Sequence, residues 1–336
     1  MRGLRPWAAL GLLRAASARS FASGLQQASS SLALKQKPPA APSSLWETLK
    51  LCGFTLGVVE GSFWLAGQAR QQHWSLKQRG PGKHEEADRK SSLRLNSQEM
   101  IASIIGTNLL VFLVWKLPRP SIQRYMLRNF TQHLPPSRTL APTLLTSAYS
   151  HMEIWHLGAN MWALWSFGKV TALIQGTEQF LAFYLSAAVV ASLAGHVGGL
   201  RAGKGGISLG ASGAIYGLVG LLAYTLPHLQ ASIIFVPFST DLSQLLAAFM
   251  ALDVLGIVLG WRTFNHWAHL GGAIFGLLYG PFISKRYWPE AESQLKSFRE
   301  KFERKQVAQL ETHALMVVHQ VVTQAAASLS AGASNQ

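Results

Sequence analysis

The sequence predicts an all-α, polytopic membrane protein with six helices in its core and one extra transmembrane helix on the amino-terminal side. Three observations carry this reading. Only 13% of the 336 residues are charged and 49% are hydrophobic, against about 25% charged in soluble domains. The deficit of charge lies between residues 100 and 284, which leaves polar ends around an apolar middle. Within that middle, apolar runs approach the length of roughly 20 residues that carries a helix across a bilayer core. Helices are required because unpaired backbone groups are intolerable in lipid.

Taken in order, residues 1–46 hold Arg2, Arg5, Arg14 and Arg19 without a single Asp or Glu. A basic, amphipathic, acid-free start of this kind reads as a mitochondrial presequence over 1–21, with cleavage expected after Phe21. Residues 22–48, rich in Ser, Ala and Pro, read as a disordered linker. The extra span is expected at 49–69, weakened by Glu60, and a polar loop with seven Lys/Arg at 70–96.

The core is expected over 97–284. Ile101–Leu117 is a strong span stopped by Pro118 and Pro120, followed by a basic interfacial segment, Ser121–Pro142. Trp155–Ile174, Phe180–Gly198, Ile207–Leu226, Leu242–Gly260 and Trp267–Ile283 complete six spans. Residues 285–336 read as a solvated helical tail. No internal repeat supports an inverted-repeat transporter.

The formal charge of +15 sits in termini and loops rather than on one face interleaved with aromatics. It implies contact with anionic lipid and argues against a nucleic-acid partner. Cys52, the sole cysteine, excludes internal disulfides and thiolate metal sites and is expected to be a small buried filler.

Chemistry enters through polar residues inside the spans, which are expensive there and functional by default. Arg262 should mark a membrane surface, and His269 lies seven residues beyond it, about 10 Å deep at helical rise. Lys204 should mark the same surface, and Ser212 lies eight residues on, about 12 Å if helical and more if extended. The glycines at 203, 205, 206 and 210 favour an extended approach, so the fourth core helix should start partway down. Serine and histidine therefore reach similar depth from one side. A serine needs an adjacent base to act as nucleophile, and His269 is the candidate.

His151, His156 and Asn160 bring further polar groups to that depth, the last two on one helix face. Donors such as these, with the Ser212 amide, make a candidate oxyanion hole. Gly213 and Gly217 on one span, and Gly272, Gly276 and Gly280 on another, form small-xxx-small rows that let two helices approach closely. Tyr216, one turn after Ser212, is placed to stack on the imidazole. A metal reading of His151, His156, His266 and His269 lacks a His-Glu-x-x-His pattern or an accompanying carboxylate, so no metal and no cofactor is expected.

At these residues the chain resembles the rhomboid intramembrane serine proteases. His151, His156 and Asn160 match the family's second-span spacing; Gly210, Ser212 and Gly213 match Gly-x-Ser-Gly; Ala268, His269 and Gly272 match Ala-His-x-x-Gly. The resemblance implies that Ser212 attacks the scissile carbonyl and His269 is the general base, then acid. It also implies that His156, Asn160 and the Ser212 amide bind the oxyanion, and that Tyr216 orients His269. A Ser–His pair suffices in that family, so Asp253 is expected to be a neutral, hydrogen-bonded span residue rather than a third member. His266 is expected to line a wet loop, and His196 a helix contact.

The extra span, the presequence and the Leu-Gly-Ala-Ser-Gly-Ala-Ile run resemble the mitochondrial members. This implies a multi-pass protein of the mitochondrial inner membrane whose partners are the lipid bilayer and single-pass transmembrane substrates. The alternative is a non-catalytic relative that binds or retains transmembrane helices; such relatives typically lack the serine or the histidine. A matrix-facing amino terminus with seven spans would open the site to the matrix, whereas the Lys/Arg distribution favours the opposite orientation.

Overall fold

The computed structural model describes residues 44–78, 95–135, 139–203, 205–232, 239–287, 293 and 296–304. The expected presequence, the linker before Ser44, Lys204 and the tail beyond 304 lie outside the described residues. The chain divides into two compact units, Met1–Glu47 and Thr48–Gln336. Of the first, only 44–47, an opening helical turn, are described; the remainder concerns the second.

The principal helices are α1 (Ser44–Gln78), α2 (Ser97–Trp115), α3 (Pro120–Asn129), α4 (Ile154–Gln175), α5 (Thr177–Ala202), α6 (Ser212–Thr225), α7 (Leu242–Leu259) and α8 (His266–Leu278). A π-helical turn, Tyr279–Ile283, prolongs α8. Four short strands, β1 (Gln132–Leu134), β2 (Gly206–Ser208), β3 (Gln230–Ser232) and β4 (Ser239–Asp241), pair antiparallel as β1–β2 and β3–β4. The protein is an all-α polytopic membrane protein, with these two small ladders among the described residues.

Helix boundaries follow local chemistry. Asn96 and Glu99 close a reciprocal capping box at the start of α2, satisfying two orphan amides. Left-handed Gly203 and Gly260 end α5 and α7. α1 outruns its expected span at both ends, and residues 70–78, expected as loop, are helical. They are mostly good helix formers, and the first breakers, Gly80-Pro81-Gly82, come only afterwards.

Leu45–Gln72 of α1, with α2, α5 and α7, are long and apolar enough to cross a membrane; α6 is a shorter apolar helix. α5 is the interior rod, with 67% of its span buried, while α7 is peripheral at 22%. α1 docks through Leu51 and Phe63, both buried, and its Ser62 Oγ lies 3.2 Å from Ser186 Oγ on α5. Glu60, half-exposed on α1, pairs with Arg286 at 3.3 Å. Phe63 also stacks on Tyr279 with ring centroids 5.6 Å apart, and the Tyr279 hydroxyl accepts from Gln179 Nε2 at 2.5 Å.

Trp155, Trp162 and Trp165 face outward. Cys52 is only half-buried. His196 is buried on α5 with Nδ1 3.0 Å from Thr139 Oγ1, a contact between helix and loop. On the β3–β4 hairpin, His228 Nδ1 stands 2.9 Å from Asp241, and this hydrogen bond holds the Asp241 carboxyl below the usual carboxylate range.

Candidate active site

β2 is extended and pairs with β1, in register Gln132↔Ser208, so the chain approaches α6 as strand rather than helix. Gly210 follows at φ +121°, a conformation that side chains rarely adopt, and its amide donates to Ser147 O at 2.9 Å. A Cβ there would lie 2.7 Å from His156 Cε1, so glycine is required sterically as well. α6 then begins at Ser212, which places that residue at the helix mouth beside the loop leading into α4.

α6 is pressed against α8 more closely than side chains permit. A Cβ at Gly272 would sit 2.0 Å from Gly213 O, and one at Gly276 2.0 Å from Gly217 O. On its other flank α6 meets α5: a Cβ at Gly213 or Gly217 would come within 2.6 or 2.7 Å of the Ala191 or Ala187 methyl. This approach of backbones brings Ser212 Oγ to 2.9 Å from His269 Nε2. Tyr216 stacks on the imidazole, with ring centroids 4.4 Å apart and 10° between planes.

His269 is buried and Ser212 half-buried. Both border a cavity of about 860 Å³, together with His156, Gly210, Trp261 and Phe264. A cavity reaching the hydroxyl supplies room for a peptide segment and for water within an otherwise apolar bundle.

The expected oxyanion groups gather at the same end. His151 Nε2 accepts from the Ala211 amide at 3.3 Å, and the His151 and His156 rings lie 5.0 Å apart, edge to face. His151 therefore supports the Ser212 turn through the backbone. Asn160 is buried, and its Nδ2 donates to His156 O in the preceding turn at 2.8 Å. That bond engages one of its two amide protons and leaves the second.

Asp253 and His266 depart from expectation. Asp253 of α7 is buried, with Oδ1 3.1 Å from His269 Nδ1 and 2.6 Å from His266 Nδ1. It is thus in contact with the imidazole that touches Ser212, not a separate span residue. His266 is buried at the first turn of α8, not in a wet loop. Two signals pointed this way: a depth of Asp253 about equal to that of His269, and a His-x-x-His spacing that puts both rings on one helix face.

The carboxylate missing from the metal reading is Asp253. Its ligand atom and those of His266 and His269 lie within 4.8 Å of one another, the one such group found among the described residues. Here each Nδ1 faces the same carboxylate oxygen at hydrogen-bonding distance, while His266 Nε2 and Asp253 Oδ2 keep no hydrogen-bond partner.

A helical membrane bundle whose glycine-packed helices join a serine to an imidazole beside buried His151 and Asn160 and half-buried His156 resembles proteins of rhomboid type. The family model described as the Rhomboid domain matches residues 140–286. It is 40% identical over 206 residues to the presenilin-associated rhomboid-like protein, mitochondrial, of Homo sapiens, covering 61% of this chain and 54% of that protein. Rhomboid protein 1, mitochondrial, of Saccharomyces cerevisiae is 33% identical over 210 residues, 61% of this chain and 59% of its own length. RHOMBOID-like protein 12, mitochondrial, of Arabidopsis thaliana is 28% identical over 266 residues, 70% and 78% of the two chains. The chain spans about half the length of the presenilin-associated relatives it matches.

Proposed function

We propose that this protein is an intramembrane serine protease of the mitochondrial inner membrane that hydrolyses peptide bonds in or near transmembrane helices of single-pass substrates. The observation that carries the reading is the 2.9 Å contact between Ser212 Oγ and His269 Nε2 at the edge of a cavity. The relatives named mitochondrial, and the apolar helices, support the location.

In this reading Ser212 Oγ attacks the scissile carbonyl while His269 Nε2 takes its proton. The imidazolium returns that proton to the leaving amine, which departs and leaves an acyl-enzyme. A water in the cavity then gives its proton to His269 and attacks the ester, and the Ser212 hydroxyl is regenerated. The carbonyl oxygen gains negative charge in both steps. The Ser212 amide at the start of α6, the free Asn160 proton and the His156 ring are the donors for it, each worth roughly 3 kcal/mol of barrier. The same hydrogen-bonded serine and histidine weigh against a relative that merely retains helices.

The test is cleavage of a model transmembrane substrate in liposomes, with fluorophosphonate labelling in parallel. Ser212→Ala and His269→Ala are each expected to lower turnover by on the order of 10⁴-fold, and Ser212→Ala to abolish labelling. Retained cleavage by Ser212→Ala overturns the serine mechanism.

A further inference from the structure

Asp253 Oδ1 lies between two imidazoles, 2.6 Å from His266 Nδ1 and 3.1 Å from His269 Nδ1. When His269 Nε2 accepts from the Ser212 hydroxyl, the proton of that ring is on Nδ1 and points at Asp253. The carboxylate can only accept, so the short contact to His266 is also an N–H···O bond. From these contacts we infer that Asp253 and His266 form a buried positioning pair for the base, extending the serine–histidine contact to a four-residue chain. The inference rests on the protease reading.

Asp253 fixes the tautomer and the ring plane of His269 from behind, while Tyr216 fixes the ring from its face. His266 supplies the second donor that holds the carboxylate in place. The two other free atoms of the pair, Asp253 Oδ2 and His266 Nε2, are buried without a hydrogen-bond partner. The short Nδ1 contact therefore locates the His266 ring. Space for that ring is made by Gly256, one turn from Asp253 on α7: a Cβ there would lie 2.4 Å from His266 Nε2. Asp253 is not among the residues bordering the cavity, whereas His266 is. Asp253 acts on the base without touching substrate, and KM reads any contact that His266 makes with it.

The pair is tested by kcat and KM on the model transmembrane substrate and by the rate of fluorophosphonate labelling, which reports serine activation without substrate binding. Melting in detergent is followed for every variant. Asp253→Asn is expected to lower kcat and the labelling rate together, by about 100-fold, with KM within threefold of wild type.

His266 separates donor chemistry from shape. An Asn amide nitrogen falls near the Nδ1 position and a Gln amide nitrogen near Nε2. His266→Asn should therefore retain kcat within about threefold, and His266→Gln should lose about tenfold or more at an equal melting temperature. Gly256→Ala, which displaces the ring without removing any polar group, should match His266→Gln. Equal rates for the Asn and Gln variants, or labelling of Asp253→Asn within twofold of wild type, overturn the pair and leave the serine mechanism standing. A wild-type protein that neither cleaves nor labels overturns both.

Discussion

Tyr216 shows how one side chain controls another without bonding to the reactants. Its ring lies parallel to His269 with centroids 4.4 Å apart, one turn beyond the serine on the same helix. Stacking holds the imidazole in the plane where Nε2 meets Ser212 and leaves Nδ1 facing Asp253. Tyr216→Ala should lower kcat roughly tenfold without abolishing it, as the stack is worth about 0.5–1.5 kcal/mol, and Tyr216→Phe should retain the stack and most of the rate. An unchanged kcat in Tyr216→Ala removes the orienting role. At this scale the sequence was informative where residue type and depth agreed: Ser212, His269 and Tyr216 share a face or a level that helical rise alone predicts. The partners of Asp253 were not legible because they come from another helix. Intrahelical spacing says nothing about which way α7 turns.

Among elements, the decisive contact is α6 against α8. The Gly213/Gly217 and Gly272/Gly276 rows were legible as a close-packing signal, and the backbones meet where that signal placed them. Gly272→Ala would set a methyl 2.0 Å from Gly213 O. Since that oxygen is backbone, the helices must part, and the Ser212–His269 bond on the next turn parts with them. The expected result is loss of cleavage, with destabilisation of about 1–3 kcal/mol seen as a lower melting temperature in detergent. Full activity in Gly272→Ala shows that the helices can separate here without cost to the site. The β1–β2 ladder, by contrast, was hidden: three residues per strand are too few for any alternation to stand out, and the pairing joins segments about 75 residues apart.

For the whole molecule, the helical segment 296–304 reaches back to the helix that begins with Ser212. Arg299 Nε donates to Thr225 O at 2.7 Å, and an Nη to Tyr224 O at 2.6 Å. These are carbonyls of the last turn of α6, where backbone acceptors lack helical partners and a cation complements the dipole. Phe298 and Phe302 on helical residues 296–304 pack against the main core alongside. Arg299→Ala should lower stability by about 1 kcal/mol. Amide exchange should rise selectively in the last turn of α6, and uniform exchange across the bundle rules out a local clamp. The all-α, polytopic character and the four long apolar helices were readable from composition. This clasp was not, because a tail of alternating charge carries no mark of which backbone it will meet.

The position of Asp253 on α7, the least enclosed of the core spans, has a mechanical consequence. Leu252, Val254 and Leu255 are exposed on that rod, an apolar flank that suits hydrocarbon. Swinging the rod outward would strip the carboxylate of both imidazoles and bare it to acyl chains, at about 3 kcal/mol. The bilayer itself thus acts as a latch: it tolerates the greasy flank only while the acid stays turned inward.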